Sequence, residues 1–438
     1  MSKLAKALSA SAGNAGGDKL YVEDVFSTYL YDGTASAITV NNGIDLSGEG
    51  GLTWLKSRSL AEGHILVDTI HGAGTGLISS GTNALFTLTD GLTAFNSNGF
   101  TLGTSNIINT NASTNVSWSF RKAEKFFDVV TFSGNSVAGR AISHGVDGAV
   151  GMVIIKRTDS AGNWAVWNVG ASTSSFFLNS TAAAYSAPQN MFGNGSSVVA
   201  PTSTAFTVGA NSTVNASGGT YVAYVFASDA GGFGDDGTDN IIKCGTFTGG
   251  TDGYATVDLG FEPQWVLMKS SSEASNWAIY DTMRGWVTSD GSADDAYLIP
   301  NTNNAEGLYT SGEPNATGFR LRDATSSGST YIYMAIRRPM KTPTAGTEVF
   351  AVSQGASGVS EPGIRNSPAF PVDFAILTNP TANGYNRTTS SRLTSAQTLD
   401  ADTTNSYSNS PPFVFDYMNG FYADALTTDW YGYSWGRA

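Results

Sequence analysis

The sequence predicts an all-β protein made of tandem antiparallel β-sandwich modules, and three observations lead to that fold class. Composition is the first: 51 glycines in 438 residues, 11% aromatic and only 13% charged residues suit sheets joined by many turns better than helices. The second is a set of short apolar stretches that alternate with period two. The third is a pattern that returns every 100 to 113 residues. Length alone suggests about three domains.

Residues 1–20 form a short N-terminal arm. Leu4, Ala5, Ala7 and Leu8 make one or two helical turns, which Gly13 to Gly17 then break, leaving an apolar patch suited to docking on a partner. Lys6 interrupts the apolar core that a signal peptide needs, and no run of about 18 apolar residues occurs. The expectation is a protein made in a cytoplasm, without membrane insertion.

From Tyr21 on, four segments can be laid on one another: 21–127, 128–235, 236–345 and a diverged 346–438. Their anchor strands read LTWLK (Leu52 to Lys56), MVIIK (Met152 to Lys156), WVLMK (Trp265 to Lys269) and, with the lysine lost, FAILT (Phe374 to Thr378). His64, Trp164 and Trp277 each fall eight residues after the lysine. GHILVDTIHG (Gly63 to Gly72) matches NWAIYDTMRG (Asn276 to Gly285), so Asp68 and Asp281 share an Asp-Thr-x-x-Gly turn. Opening strands turn at Tyr31-Asp32-Gly33, Phe132-Ser133-Gly134 and Phe247-Thr248-Gly249. A further column holds Phe100, Phe206, Phe319 and Phe421.

Each segment closes on an alternating strand: Val116, Trp118, Phe120; Val222, Tyr224, Phe226; Ile332, Met334, Ile336; Tyr431, Tyr433, Trp435. One face of these strands should be buried, and Ser117 and Ser119 should lie on a half-wet face. Turn-rich stretches at 229–239 and 338–347 mark boundaries. The spacing predicts one β-sandwich of about 100 residues per segment. Two segments sharing one larger double sheet is the alternative.

The segments YVEDVFSTYLYDG, NGIDLSGEGGLTWLKSRS, VSWSFRKAEKFFDVVTFSGN, GMVIIKRTDSAGNWAVW and YIYMAIRRPMKTPTAGTEVFA resemble a repeat-containing family of marine bacteriophages, notably T7-like phages of cyanobacteria, described as tail-fibre-like or virion proteins. The resemblance covers nearly the whole chain and is least close in the fourth segment. It implies a virion protein with lectin-like β-sandwich modules of jelly-roll or concanavalin-like type, and it carries no catalytic motif.

Chemistry is sparse. A net charge of −13 disfavours duplex nucleic acid as a main partner, and the single cysteine, Cys244, excludes an intramolecular disulfide and a cysteine metal cage. His64 stands in a column of tryptophans and His71 in a column with Arg284, which reads as packing or surface rather than catalysis. No G-x-S-x-G, H-E-x-x-H, P-loop or dinucleotide fingerprint occurs in a suitable context, so no catalytic residue is assigned. Clustered acids on loops, Asp235, Asp236 and Asp239 together with Asp290, Asp294 and Asp295, are candidate Ca²⁺ ligands, although solvated turns are the commoner use.

Sugar-binding sites stack an aromatic ring on a pyranose face and set polar groups beside it. Trp164 and Trp277 read as core. Trp167 and Tyr280, three residues on, should face the other side, so with Asp281 and Arg284 they are the glycan-binding candidates. Lys56, Lys156 and Lys269 read as gatekeeper charges at strand ends. Together these readings lead to a tail-associated virion protein that attaches to host-surface glycan by multivalent binding. A capsid or tail decoration protein and a glycan depolymerase are the second and third readings. The arm would hold other virion proteins, and phage fibres by analogy imply a homotrimer.

Overall fold

The computed structural model describes residues 19–250, 254–287, 295–309, 312–322, 328–355, 370–380, 387–394, 398–400, 413–423 and 429–436. Nearly all of the N-terminal arm, with Asp290 and Asp294, lies outside the described residues. The rest is an all-β, sandwich-type structure.

Four main sheets share one strand order: opening, closing, anchor, then the strands that follow the anchor. The first runs Phe26–Asp32, Thr114–Arg121, Gly51–Ser57, Ile65–Asp68, Thr75–Ile78 and Phe86–Thr87. The second runs Phe127–Ser133, Thr220–Ala227, Val150–Arg157, Trp164–Asn168 and Phe176–Phe177. The third is Ile242–Thr248, Thr330–Arg337, Pro263–Ser270, Trp277–Asp281, Asp295–Leu298 and Gly307–Tyr309. The fourth is Phe350–Gln354, Tyr431–Trp435, Phe374–Thr378, Thr388–Ser391 and Leu399–Asp400. Register agrees as well: Phe26 pairs with Phe120, Phe127 with Phe226, Ile242 with Ile336 and Phe350 with Trp435.

The opening-strand glycines have a steric cause. A Cβ on Gly33 would lie 1.9 Å from the Thr110 carbonyl oxygen, and one on Gly134 would lie 2.1 Å from that of Ala216. Only glycine lets the backbones approach so closely.

A small second sheet of two or three strands backs each main sheet, as Ile38–Asn41, Gly99–Leu102 and Leu92–Asn96 do in the first segment. Phe100 and Phe319, from the phenylalanine column, fill the spaces between the layers. The other face of the first three main sheets is also covered. Trp54, Trp118, Phe120, Trp164, Tyr224, Phe226, Trp265 and Met334 from three segments share one buried cluster. Phe120 stands 5.5 Å from Phe226 and 5.9 Å from Trp265, ring centre to ring centre.

Both faces of these closing strands are therefore dry. Ser117 and Ser119, expected on a half-wet face, are fully buried. A period-two pattern of large and small residues here reports two packed layers of different thickness, not a dry side and a wet side.

Three seams close the sheets into a ring. Trp164 Nε1 donates to the Ile78 carbonyl of the first segment at 3.0 Å, and Trp277 Nε1 to Phe177 of the second at 2.9 Å. His64, in the same column, sits near the Ile299 carbonyl of the third but outside hydrogen-bond geometry. The backbone repeats this order: Leu85 N donates to Thr158 O, Ala184 N to Ser271 O and Glu306 N to Arg58 O. Second rests on first, third on second, first on third.

The anchor lysines serve these seams. Lys156 donates to Thr82 O at 3.0 Å and Lys269 to Thr181 O at 3.1 Å, each reaching the preceding segment, while Lys56 holds its own loop through Ser57 O and Leu60 O. All three are buried, so the gatekeeper reading is corrected. A flexible four-carbon stem lets an ammonium reach carbonyls that the strands leave open at a seam.

Candidate functional site

The opening strand of the first segment is an edge strand, with tyrosines at alternate positions 29 and 31. The fourth segment's turn around Asp416 to Asn419 lies opposite. Between them is a cleft of about 710 Å³ that Tyr29, Tyr31, Asp32, Asn41, Arg58, Asp416, Tyr417 and Asn419 help to line. Tyr29 and Tyr31 pack partly against the first segment's inter-layer core, and Tyr31 OH donates to the Ile108 carbonyl at 2.8 Å. Tyr417, beside carboxylate, amide and guanidinium groups, makes a surface that can stack on a sugar face and bond its hydroxyls.

Asn115 also lines the cleft. It is 1% exposed, donates Nδ2 to Ser113, and leaves Oδ1 without a hydrogen-bond partner. A smaller pocket of about 310 Å³ shares Ser27, Asn42, Pro371 and Met418 with the cleft, and its lining residues include Thr28 and Glu23, whose Oγ1 and Oε2 are buried and unpaired. Buried polar atoms are nearly always satisfied, so such atoms beside a cavity mark places where a ligand or water would be held.

Behind the cleft runs a chain of charges. Asp416 accepts from Arg58 at 2.7 Å, Arg58 forks onto Glu306 at 2.7 and 3.0 Å, Arg284 reaches Glu306 at 2.8 Å, and Arg284 Nε donates to Asp281 at 2.6 Å. Trp118 Nε1 completes it on Asp281 at 3.1 Å. Burial opposes the charge on Arg58, but Asp416 and Glu306 outweigh it and hold the guanidinium well above its usual range. Burial likewise works against an ionised Glu306, and the two arginines overcome it and lower its pKa. Burial raises the phenol pKa of Tyr29 and Tyr31, so both stay neutral hydroxyls.

The glycan candidates read from the sequence occupy other places. Trp167 is buried and donates Nε1 to the Ser172 carbonyl, and Tyr280 is buried against Trp286 at 5.9 Å. Neither ring is free to stack on a sugar, because the sheet is covered on both faces. Asp281 and Arg284 are buried too, at the inner end of the charge chain whose outer end, Arg58 and Asp416, meets the cleft.

Among the acids, Asp235 is exposed and accepts from Lys19 and Tyr21, Asp239 pairs with Arg337, and Asp236 is exposed. Asp295 is buried and accepts from Val287 N and Gly312 N. No group of three or more His, Cys, Asp or Glu placed to hold a metal occurs among the described residues. No helix among them is long and apolar enough to cross a membrane.

Of the cleft residues, Tyr31 and Asp32 stand in the recurring opening-strand turn, while Arg58, Asp416, Tyr417 and Asn419 belong to no column. Two signals point to them: tyrosines two apart in YLYD, and the aromatic run FVFDYMNGF (Phe413 to Phe421), whose tip no sister segment carries.

The profile of a family described as a domain of unknown function, DUF7483, matches residues 22–339. No curated protein and no solved structure matches the chain.

Proposed function

The chain belongs to that family of domains of unknown function, DUF7483, and from this premise we propose that it is a glycan-binding structural protein of a bacteriophage particle, tail-associated and used in attachment to the host surface. The particle assignment rests on the resemblance of five sequence segments to phage virion proteins. The binding assignment rests on one observation, the cleft between the first and fourth segments, where Tyr417 and fixed polar groups converge and whose lining includes Asn115, a residue with an unpaired buried oxygen. Its volume falls in the range usual for small-ligand sites. The ion pairs behind it fix Arg58 and Asp416 before a ligand arrives, which lowers the ordering cost of binding.

Screening the purified full chain against host-derived polysaccharides and a glycan array tests this reading. Binding is expected, and it should weaken in Tyr417→Ala and Asp32→Asn. Absence of binding to every host glycan overturns it. Locating the protein in intact particles tests the second reading, decoration or assembly: a tail position supports attachment, many copies on the head support decoration. Reducing sugar released from host polysaccharide would move the depolymerase reading to first place.

A further inference from the structure

The outward face of the fourth main sheet has no cover among the described residues. In the first three segments the corresponding face, carried by Trp118, Tyr224 and Met334 in the closing strands, is buried in the common core. In the fourth, Val352 is 52% exposed, Phe350 and Phe374 37% and Tyr433 36%. Trp435 lies between the two phenylalanines, with ring centres 5.0 and 5.3 Å away, so the exposed residues form one aromatic patch. The opposite face is packed normally: Ala375 and Leu377 are buried with Phe413 and Ala423 of the small sheet and with Phe421 beside it.

We propose that this face joins three copies of the chain, the fourth sheets of three molecules meeting around an axis as the first three sheets of one molecule do. The occupant follows from the molecule's own packing. Strand order and register are the same in all four sheets, and in the three where this face is covered, what covers it is the same face of two sister sheets. Within the chain those sisters are already closed into a ring, so the matching faces left are on other copies. Thr378 replaces the buried lysine, so joining here buries aromatic and aliphatic surface without desolvating an ammonium. A contiguous apolar patch of this kind marks an interaction surface. The inference is independent of glycan binding.

Light scattering and sedimentation of the full chain test it. The expected mass is three times the chain mass of 45.7 kDa. The double variant Val352→Asp/Tyr433→Asp, at exposed positions, should fall to the single-chain mass with unchanged near- and far-UV circular dichroism. Val352→Cys provides a second readout, because the native Cys244 is buried: the introduced thiol should be shielded from a bulky maleimide in the assembled protein and become reactive on dilution. A wild-type monomer or dimer, a trimer that persists in the double variant, or an introduced thiol labelled equally at all concentrations overturns the proposal.

Discussion

Arg58 and Glu306, 248 residues apart in the chain, meet in a forked ion pair with both partners mostly buried. The pair stands where the first segment closes on the third, and the backbone seals the same point through Glu306 N and Arg58 O at 2.7 Å. At the other two seams Leu85 and Ala184 make the backbone bond, and the cations there, Lys156 and Lys269, are held by carbonyls. The seam that joins the ring's ends, and brings together the two of the three segments that are not consecutive in the chain, is the one fastened by a carboxylate and a guanidinium.

Breaking this network should be costly. Arg284→Met leaves Asp281 buried with its guanidinium gone, and removing one partner of a buried pair costs about 3–5 kcal/mol. Urea unfolding should show that loss, and Arg284→Met/Asp281→Asn should recover a substantial part of it.

Two other buried bonds invite a matched test. Tyr224 OH donates to Asp68 at 2.9 Å as Trp118 Nε1 donates to Asp281. A hydrogen bond to a charged group is worth about 1.5–3 kcal/mol, so Tyr224→Phe should lose about 2 kcal/mol with the fold intact. Crystal or nuclear magnetic resonance data on the variant would check the fold, and denaturation the magnitude.

Residues 22–339 should melt as one unit. Their three main sheets share a single core, so separating any one of them uncovers the other two. Calorimetry should resolve one transition for this region and none assignable to a single segment; an excised 128–235 should fail to give dispersed amide spectra. Three separate transitions would contradict the shared core.

Alkaline pH should first strengthen the fold. Burial lowers Lys56, Lys156 and Lys269 to about 8, against 10.5 in the unfolded chain. Above pH of about 8 the unfolded state holds more protons than the folded one, so stability rises with pH. Burial holds Tyr31, Tyr224 and Tyr333 above the unfolded value of 10.0, so beyond that pH the unfolded state releases protons first and stability falls. The urea midpoint should therefore climb above pH of about 8 and turn over near 10.0, with a smaller climb in Lys269→Met.

In the cleft, aromatic stacking is worth about 0.5–1.5 kcal/mol, so Tyr417→Ala should weaken a bound glycan by up to about tenfold. Isothermal titration would read it. Trp167→Phe, buried away from the cleft, should leave affinity unchanged.

The sequence by itself determined the all-β class and the burial of Trp164 and Trp277. Alternation and spacing are local properties that the pleat of a strand converts directly into sidedness. It also placed Asp281 and Arg284 together, because three residues in an Asp-Thr-x-x-Gly turn bring them into contact. Only the tertiary structure decided that both faces of three sheets are dry, that the anchor lysines are buried, and that the open aromatic surfaces are a cleft beside Tyr29 and a face around Tyr433. The physical reason is that exposure depends on what covers a face. That cover comes from segments a hundred or more residues away, and a period-two pattern looks the same whether its second side meets water or another sheet.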